Sequence, residues 1–332
     1  MKDKIYIILL NYNGWMDTIQ CLESILKSDY QNYQIIVIDN DSPNDSMNYI
    51  INWAEGKQEV IYDEKLELRY LIQPFKKKPL DYIFYNRKEE ALKIKFKKEV
   101  NKVKNPIIFI QAGENRGFAA GNNIGIKYAL KKNDFEYIWL LNNDTVIKND
   151  TLSKLHEYSK QNLNSLISSR LLNEDNTIQA DGGNINKYFL TSSHINSNKN
   201  LNDKIDYKIP SYLVGASLFI NKKILKDIGL LSEEYFLYYE DLDYSLKAIK
   251  KGYALKVCHE SIVYHKDGSS TKKVNKDFIV NHYFRNRLKI AKKFNFTLFT
   301  VKMGMCISIF KRLIYGNINE AKIIWDILKN EQ

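Results

Sequence analysis

Residues 137–141, all apolar or aromatic, run directly into Asn142, Asn143 and Asp144. Such a run reads as a buried strand that empties into a polar cluster. In open α/β sheets, ligands gather beyond the carboxyl ends of the strands. An aspartate flanked by two amides offers hard oxygen donors suited to Mg²⁺ or Mn²⁺. The same residues also fit a plain turn, because Asn and Asp bond their own backbone and tolerate left-handed geometry. The pattern recurs. Asn11 and Asn13 follow a strand over 4–10, and Asp39 and Asp41 follow one over 34–38. An acid at a second strand end is placed for a ribose or base edge, or equally for capping the next helix.

These residues need elements to carry them. A helical spacing over 17–26 between the first two strands predicts a strand–helix–strand opening of a parallel sheet. Residues 67–72 and 107–110 read as further strands, and the latter precedes Arg116 and Gly117. Gly117, Gly121 and Gly125 recur every four residues, which on a helix gives a bare face for close backbone approach. Arg116 could reach a phosphate or form a structural ion pair. Neither GxGxxG nor a P-loop ending is present. Residues 166–172 and 178–182 read as strands, and the Asn-rich stretch 181–209 as a long flexible loop beside the site. Residues 212–220 read as a buried strand in which Gly215, Ala216 and Ser217 leave room for a ligand. Leu242, Leu246, Ile249 and Tyr253 give the inward face of a helix whose first turn holds Glu240 and Asp241, a position carboxylates also favour for the helix dipole alone. A strand over 255–264 then delivers His265.

At 332 residues and 44% hydrophobic, the chain can bury a substantial core. Three widely spaced cysteines with no CxxC pair argue for a reducing compartment and against a zinc site. The apolar start is too short for a signal peptide's core, and no apolar run suffices to span a membrane. The net charge of +11 is concentrated: residues 76–104 hold eleven basic against four acidic residues, and residues 285–332 ten against three. Both patches suggest an anionic partner. In the first, Tyr82, Phe84 and Tyr85 lie among lysines, a mixture that would suit nucleic acid or an amphipathic surface helix. In the second, residues 294–315 suit either an anionic membrane interface or a core-packed helix.

The motifs LNYNG at 10–14, IDNDS at 38–42, NRGFAAGNN at 115–123, LLNNDT at 140–145, GAS at 215–217, YYEDLDYSLK at 238–247 and VYHKDGSS at 263–270 together resemble the family 2 glycosyltransferases, particularly their rhamnosyltransferase-like branch. The resemblance implies an α/β GT-A fold: a mixed, mostly parallel sheet flanked by helices, with a Rossmann-like nucleotide half, an acceptor half and C-terminal helices. It implies a catalytic domain over 1–270 with a basic insertion near 74–104, and a helical appendage over 271–332.

The implied activity is inverting transfer of rhamnose or a hexose from a UDP- or dTDP-linked donor to a saccharide or polyprenyl-diphosphate-linked acceptor in bacterial surface polysaccharide synthesis. The place implied is the cytoplasm, peripheral on the inner face of the cell membrane. Position by position, Asp39 would hold the nucleoside, with Asn11, Asn13, Asp41, Arg116, Gly117, Asn142, Asn143 and Gly215 around the donor. Asp144 would bind Mg²⁺ or Mn²⁺ with His265 as a further contact, and Asp241 would be the base. Glu240, Arg285 and Asn286 would sit at the acceptor or behind these groups. Asn142 departs from the family's usual Asp, which removes one metal carboxylate. The competing reading is a basic nucleic-acid-binding protein using residues 76–104.

Overall fold

The computed structural model describes residues 3–62, 68–93, 105–266 and 275–330. Strands and helices alternate first: β1 (Ile5–Asn11), α1 (Trp15–Ile25), β2 (Tyr33–Asp39), α2 (Ser46–Glu55), the single turn α3 (Arg69–Ile72), β3 (Tyr82–Tyr85), α4 (Lys88–Leu92), β4 (Ile107–Gln111), α5 (Gly117–Lys132) and β5 (Tyr137–Asn142). The chain continues through β6 (Thr145–Ile147), α6 (Thr151–Gln161), β7 (Ser165–Leu172), β8 (Ile178–Ala180), β9 (Gly183–Ile185), β10 (Ser192–His194), β11 (Ser217–Asn221), α7 (Lys222–Ile228), α8 (Glu240–Lys250) and β12 (Ala254–His265). Three helices follow: α9 (Lys276–Lys293), α10 (Leu298–Ile314) and α11 (Ile318–Lys329).

A ten-stranded sheet runs in the order β3-β4-β2-β1-β5-β11-β7-β12-β6, with β8 paired to β7. The five strands from β3 to β5 are parallel, β11 is antiparallel to both its neighbours, and β12 lies parallel to β7. β1 shows why a near-continuous apolar run becomes a central strand. Ile5, Ile7 and Leu9 enter the core shared with α1, α2 and α6, while Tyr6 and Ile8 enter the core shared with α5, α7 and α8. Both faces of the sheet are therefore covered, the usual fate of parallel strands. From β1 the chain steps to β2 on one side, whereas α5 carries it from β4 across to β5 on the other. The direction of strand order reverses at β1, and the crevice opens at its carboxyl end.

α5 crosses the sheet at very short range. A Cβ on Gly125 would lie 2.7 Å from Ile8 Cγ2 and 3.0 Å from Ile38 Cδ1, and one on Gly121 would run into Leu10. The glycine ladder thus does what its spacing predicts.

Several sequence expectations are corrected. Residues 69–72 form a helical turn rather than part of a strand, and residue 67 lies outside the described residues. Tyr82, Phe84 and Tyr85 belong to β3, which pairs with β4 at the sheet edge, instead of a surface helix; residues 94–104 of the basic segment lie outside the described residues. The 181–209 stretch carries the β9–β10 hairpin, and it is tied down by charge rather than loose. Asp181 accepts from Arg170 Nε and Nη2 at 2.8 Å each and from Asn196 at 2.9 Å. Burial opposes its ionisation, yet bonds from His259, Arg170 and Asn196 prevail and hold the carboxyl at about 2. In 212–220 only β11 is strand; Gly215 and Ala216 precede it.

α9 to α11 share a core with Tyr212, Tyr235, Tyr239 and Leu242. No helix among the described residues is long and apolar enough to cross a membrane.

Candidate functional site

Strand register brings the polar clusters level. Asn11 pairs with Asp39, and Leu10 with Asn142, so the ends of β1, β2 and β5 reach the same edge. A cavity of about 470 Å³ opens there, with Tyr12, Asn40, Asn142, Asn143 and Asp144 on one wall and Glu240 and Asp241 on another.

At the β2 end, Asp39 is buried and engaged. It accepts from Asn11 Nδ2 at 2.6 Å, Ser42 Oγ at 2.6 Å and Ser42 N at 3.0 Å. It braces the loops on either side and leaves Asn40 and Tyr12 to face the cavity. Asn40 Nδ2 donates to Asn115 Oδ1 at 2.8 Å, which also accepts from Gly117 N. Asp41 and Asn13 both adopt left-handed backbone, but Asp41 is exposed and outside the cavity. Asn143 Nδ2 donates to Thr18 Oγ1 at 2.9 Å and stitches β5 to α1.

Asp144 and His265, the two residues expected to hold a metal, come together from two distant segments. His265 ends β12 opposite Thr145 of β6, and its Nε2 lies 3.3 Å from Asp144 Oδ1 and 3.3 Å from Asn142 Nδ2. On the other side of the ring, Nδ1 lies 2.7 Å from Gln179 Oε1. Gln179 Nε2 donates to Asn173 Oδ1 and to the His265 carbonyl, so its Oε1 is the acceptor and His265 Nδ1 carries the proton. That tautomer aims an Nε2 lone pair beside the Asp144 carboxylate, the orientation that a second partner imposes on metal-binding histidines. Among the described residues no group of three or more His, Cys, Asp or Glu could hold a metal. Asp144 and His265 could supply one oxygen and one nitrogen ligand to a divalent cation, a donor set that fits Mn²⁺ or Mg²⁺ with further oxygen ligands from phosphate and water.

The opposite wall is built differently. Tyr238 and Tyr239 take φ of 67° and 75° before α8, two successive left-handed residues with large side chains. Such backbone costs on the order of 1–3 kcal/mol per residue and persists where neighbours over-determine it. Asn286 does so from α9, donating Nδ2 to the carbonyls of Leu237 at 2.8 Å and Tyr238 at 3.0 Å. On the other flank Phe118 N donates to Phe236 O at 3.0 Å, and Gly117 (φ 88°) is the residue that fits, since a Cβ there would strike the Phe236 carbonyl.

The strained entry sets the two carboxylates. Asp241 Oδ1 accepts from Leu242 N at 2.7 Å and Oδ2 from Gly215 N at 3.1 Å. A Cβ on Gly215 would already touch Asp241 Cβ at 3.4 Å, which explains the small residue. Glu240 is buried, and its Oε2 has no hydrogen-bond partner. Burial raises both acids; Asp241's charge raises Glu240 further, whereas the two backbone N–H groups pull Asp241 back. The N–H groups of Leu242 and Gly215 offset the cost of charge on Asp241, while no such bond from the described residues reaches Glu240 Oε2.

Of the inward face expected for α8, Leu242 and Tyr253 are buried and Leu246 packs against the core, but Ile249 is 46% exposed, and the buried side also takes in Tyr244, Ser245 and Ala248. Asp243 pairs with Lys247, and although fully buried it is also bonded to Ser232 and Lys293. Arg116 does not line the cavity; its guanidinium lies 3.7 Å from Glu233. Arg285 is exposed and bonds Asn281 within its own helix. The sequence reading missed His194 and Ser192 of β10, Gln179, and Phe278 and Tyr283 of α9, all of which line the cavity. None carries a local signal, because each arrives from an element whose position only the tertiary fold defines.

Residues 6–73 and 95–229 match the family model described as glycosyl transferase family 2. Over 186 residues the chain is 25% identical to the low-salt glycan biosynthesis hexosyltransferase Agl10 of Haloferax volcanii, covering 54% of this chain and 59% of that protein. Over 163 residues it is 25% identical to the dTDP-rhamnosyl transferase RfbF of Shigella flexneri, covering 49% and 53%. The chain thus spans between half and three-fifths of these relatives. Among solved structures, the mannosyltransferase PcManGT from Pyrobaculum calidifontis in complex with GDP-Man and Mn²⁺ superposes with a TM-score of 0.54 at 12% identity, over 88% of this chain and 65% of that one. GalNAc-T7 with UDP, GalNAc and Mn²⁺ gives 0.50 at 14% identity, over 85% and 47%. These likenesses establish the GT-A fold.

Proposed function

The chain belongs to glycosyl transferase family 2, and from that premise we propose that it transfers a hexose or rhamnose, with inversion, from a UDP- or dTDP-linked donor to a saccharide or polyprenyl-diphosphate-linked acceptor. The names of the hexosyl and rhamnosyl relatives support the sugar class. The observation that carries the reading is that Asp144 and Asp241, on different elements, line one cavity at the strand ends.

In this reading Tyr12 and Asn40, braced by Asp39, hold the nucleoside, while Asp144 and His265 hold Mg²⁺ or Mn²⁺ on the diphosphate. Bound there, the cation neutralises charge on the departing diphosphate. Asp241 takes the proton of the acceptor hydroxyl as that oxygen attacks the anomeric carbon. The carbon–oxygen bond to the diphosphate breaks on the opposite face with its electron pair, so configuration inverts. Backbone N–H groups of Gly215 and Leu242 keep Asp241 fixed and favour its ionised form. Phe236, Tyr238 and Tyr283 supply aromatic faces against which a sugar ring packs.

The nucleic-acid reading loses its support, since the aromatic residues it relied on are part of the sheet. The test is nucleotide release from UDP-, dTDP- and GDP-linked sugars with Mn²⁺ or Mg²⁺, alongside thermal shift by each nucleotide. Release from none, with no nucleotide shift, overturns the proposal.

A further inference from the structure

α10 buries little of itself. Val301, Gly304 and Met305 face inward, and Gly304 sits so close that a Cβ there would lie 2.6 Å from Arg287 Nη2 and 2.9 Å from Phe189 Cβ. This close fit fixes the helix's rotation. The opposite side presents Phe299, Met303, Ile307, Phe310, Leu313 and Ile314, with Phe299 73% and Phe310 67% exposed. At 100° per residue these six fall in an arc of about 120° with no charged residue inside it. Lys302 stands just beyond one edge of the arc and Lys311 just beyond the other. Tyr315 and Ile318, 80% and 66% exposed, continue the apolar run into the connection to α11.

We propose that this face of α10 docks on an anionic lipid surface, lying in the interface plane. The inference stands on the surface alone and does not rest on the transfer reaction. An apolar arc bordered by lysines, on a segment with ten basic against three acidic residues over 285–332, complements acidic headgroups over hydrocarbon. A second copy of the chain is the poorer occupant. A two-fold contact would set the same basic borders against each other, with like charges facing across the seam. α10 packs on α9, whose Phe278 and Tyr283 line the cavity, so the docked face and the site form one body.

The test uses the full chain with phosphatidylcholine vesicles, with and without phosphatidylglycerol. The wild type is expected to sediment with the anionic vesicles at low salt and to be released as salt rises. Phe299→Ser with Phe310→Ser should weaken binding at least about tenfold, and Lys302→Gln and Lys311→Gln by about fivefold each with a flatter salt dependence. Phe299, Phe310 and Lys311 are exposed, so melting temperature and nucleotide binding of their variants should match the wild type. A polarity-sensitive dye on Cys306, exposed while Cys21 and Cys258 are buried, should shift to the blue with anionic vesicles. The proposal is overturned if the wild type stays in the supernatant, if the phenylalanine variants bind equally, or if sedimentation velocity shows a dimer that those variants make monomeric.

Discussion

The two walls of the cavity treat a carboxylate in opposite ways. On the sheet side, Asp39 is closed in by hydrogen bonds from Asn11 and Ser42, and Asp144 lies against His265. On the α8 side, a buried Glu240 adjoins a half-buried Asp241, Glu240 Oε2 has no hydrogen-bond partner among the described residues, and desolvation pushes both acids upward. In the proposed reaction the first wall would keep negative charge in place beside the donor and the second would take up the acceptor's proton, a division set by the surroundings of the carboxylates rather than by their chemistry.

The most direct way to break this contrast is Asp241→Asn. It should leave nucleotide affinity unchanged and lower kcat by about 10²- to 10⁴-fold; near-normal turnover there, with collapse in Glu240→Gln, would move the base to Glu240. On the sheet side, Asp144→Ala should weaken nucleotide binding in the presence of Mn²⁺ by about 10- to 100-fold while leaving nucleoside binding alone. Calorimetry separates the two, and equal affinity with Mn²⁺ would remove Asp144 from the metal site. A smaller effect is expected from Asn286→Ala, which removes two bonds from the loop before α8. At about 1 kcal/mol each, kcat should fall by up to roughly thirtyfold with the donor KM unmoved; a matching rise in donor KM would place the loop on the wrong wall.

The smallest effect sharpens the contrast through pH. Wild-type kcat should rise with pH through the raised value of Asp241, on an acid limb displaced upward from ordinary carboxylates, and Asp241→Asn should lose that limb. Glu240→Gln mimics the protonated acid and should retain most activity. Because Glu240's value is raised on folding, its contribution to stability is complete below the unfolded value and is lost as pH rises through the folded one. Gln has no such loss, so the variant's melting temperature should overtake the wild type increasingly in alkaline buffer. Parallel melting curves across pH would show that Glu240 ionises as freely as an exposed acid.

The two walls also differ in how far the sequence discloses them. Strand-end clusters are legible because apolar runs have a short, definite length and the polar residues after them are contiguous. Asn11, Asp39 and Asn142 could be placed at one edge from that pattern. The glycine ladder of α5 was legible for the same local reason. The α8 wall is assembled from β10, α9 and the segment before α8, which lie far apart in the chain, so His194 and Tyr283 gave no warning. Periodicity even misjudged α8. It ranked Ile249 as inward because apolarity was its only guide, whereas the buried side of the helix includes Asp243, which Lys247 and Lys293 neutralise. A buried acid with two cations is invisible to a hydrophobic pattern.

The clamp from Asn286 to the carbonyls of Leu237 and Tyr238 also bears on how the protein is made. During synthesis the strands of the sheet and α8 leave the ribosome before α9 does. Until residue 286 arrives, the left-handed pair Tyr238–Tyr239 lacks its two bonds from α9, and the start of α8 is held through Phe118 and Gly215. The sheet and α8 can thus be in place before the loop ahead of Asp241 is fully braced.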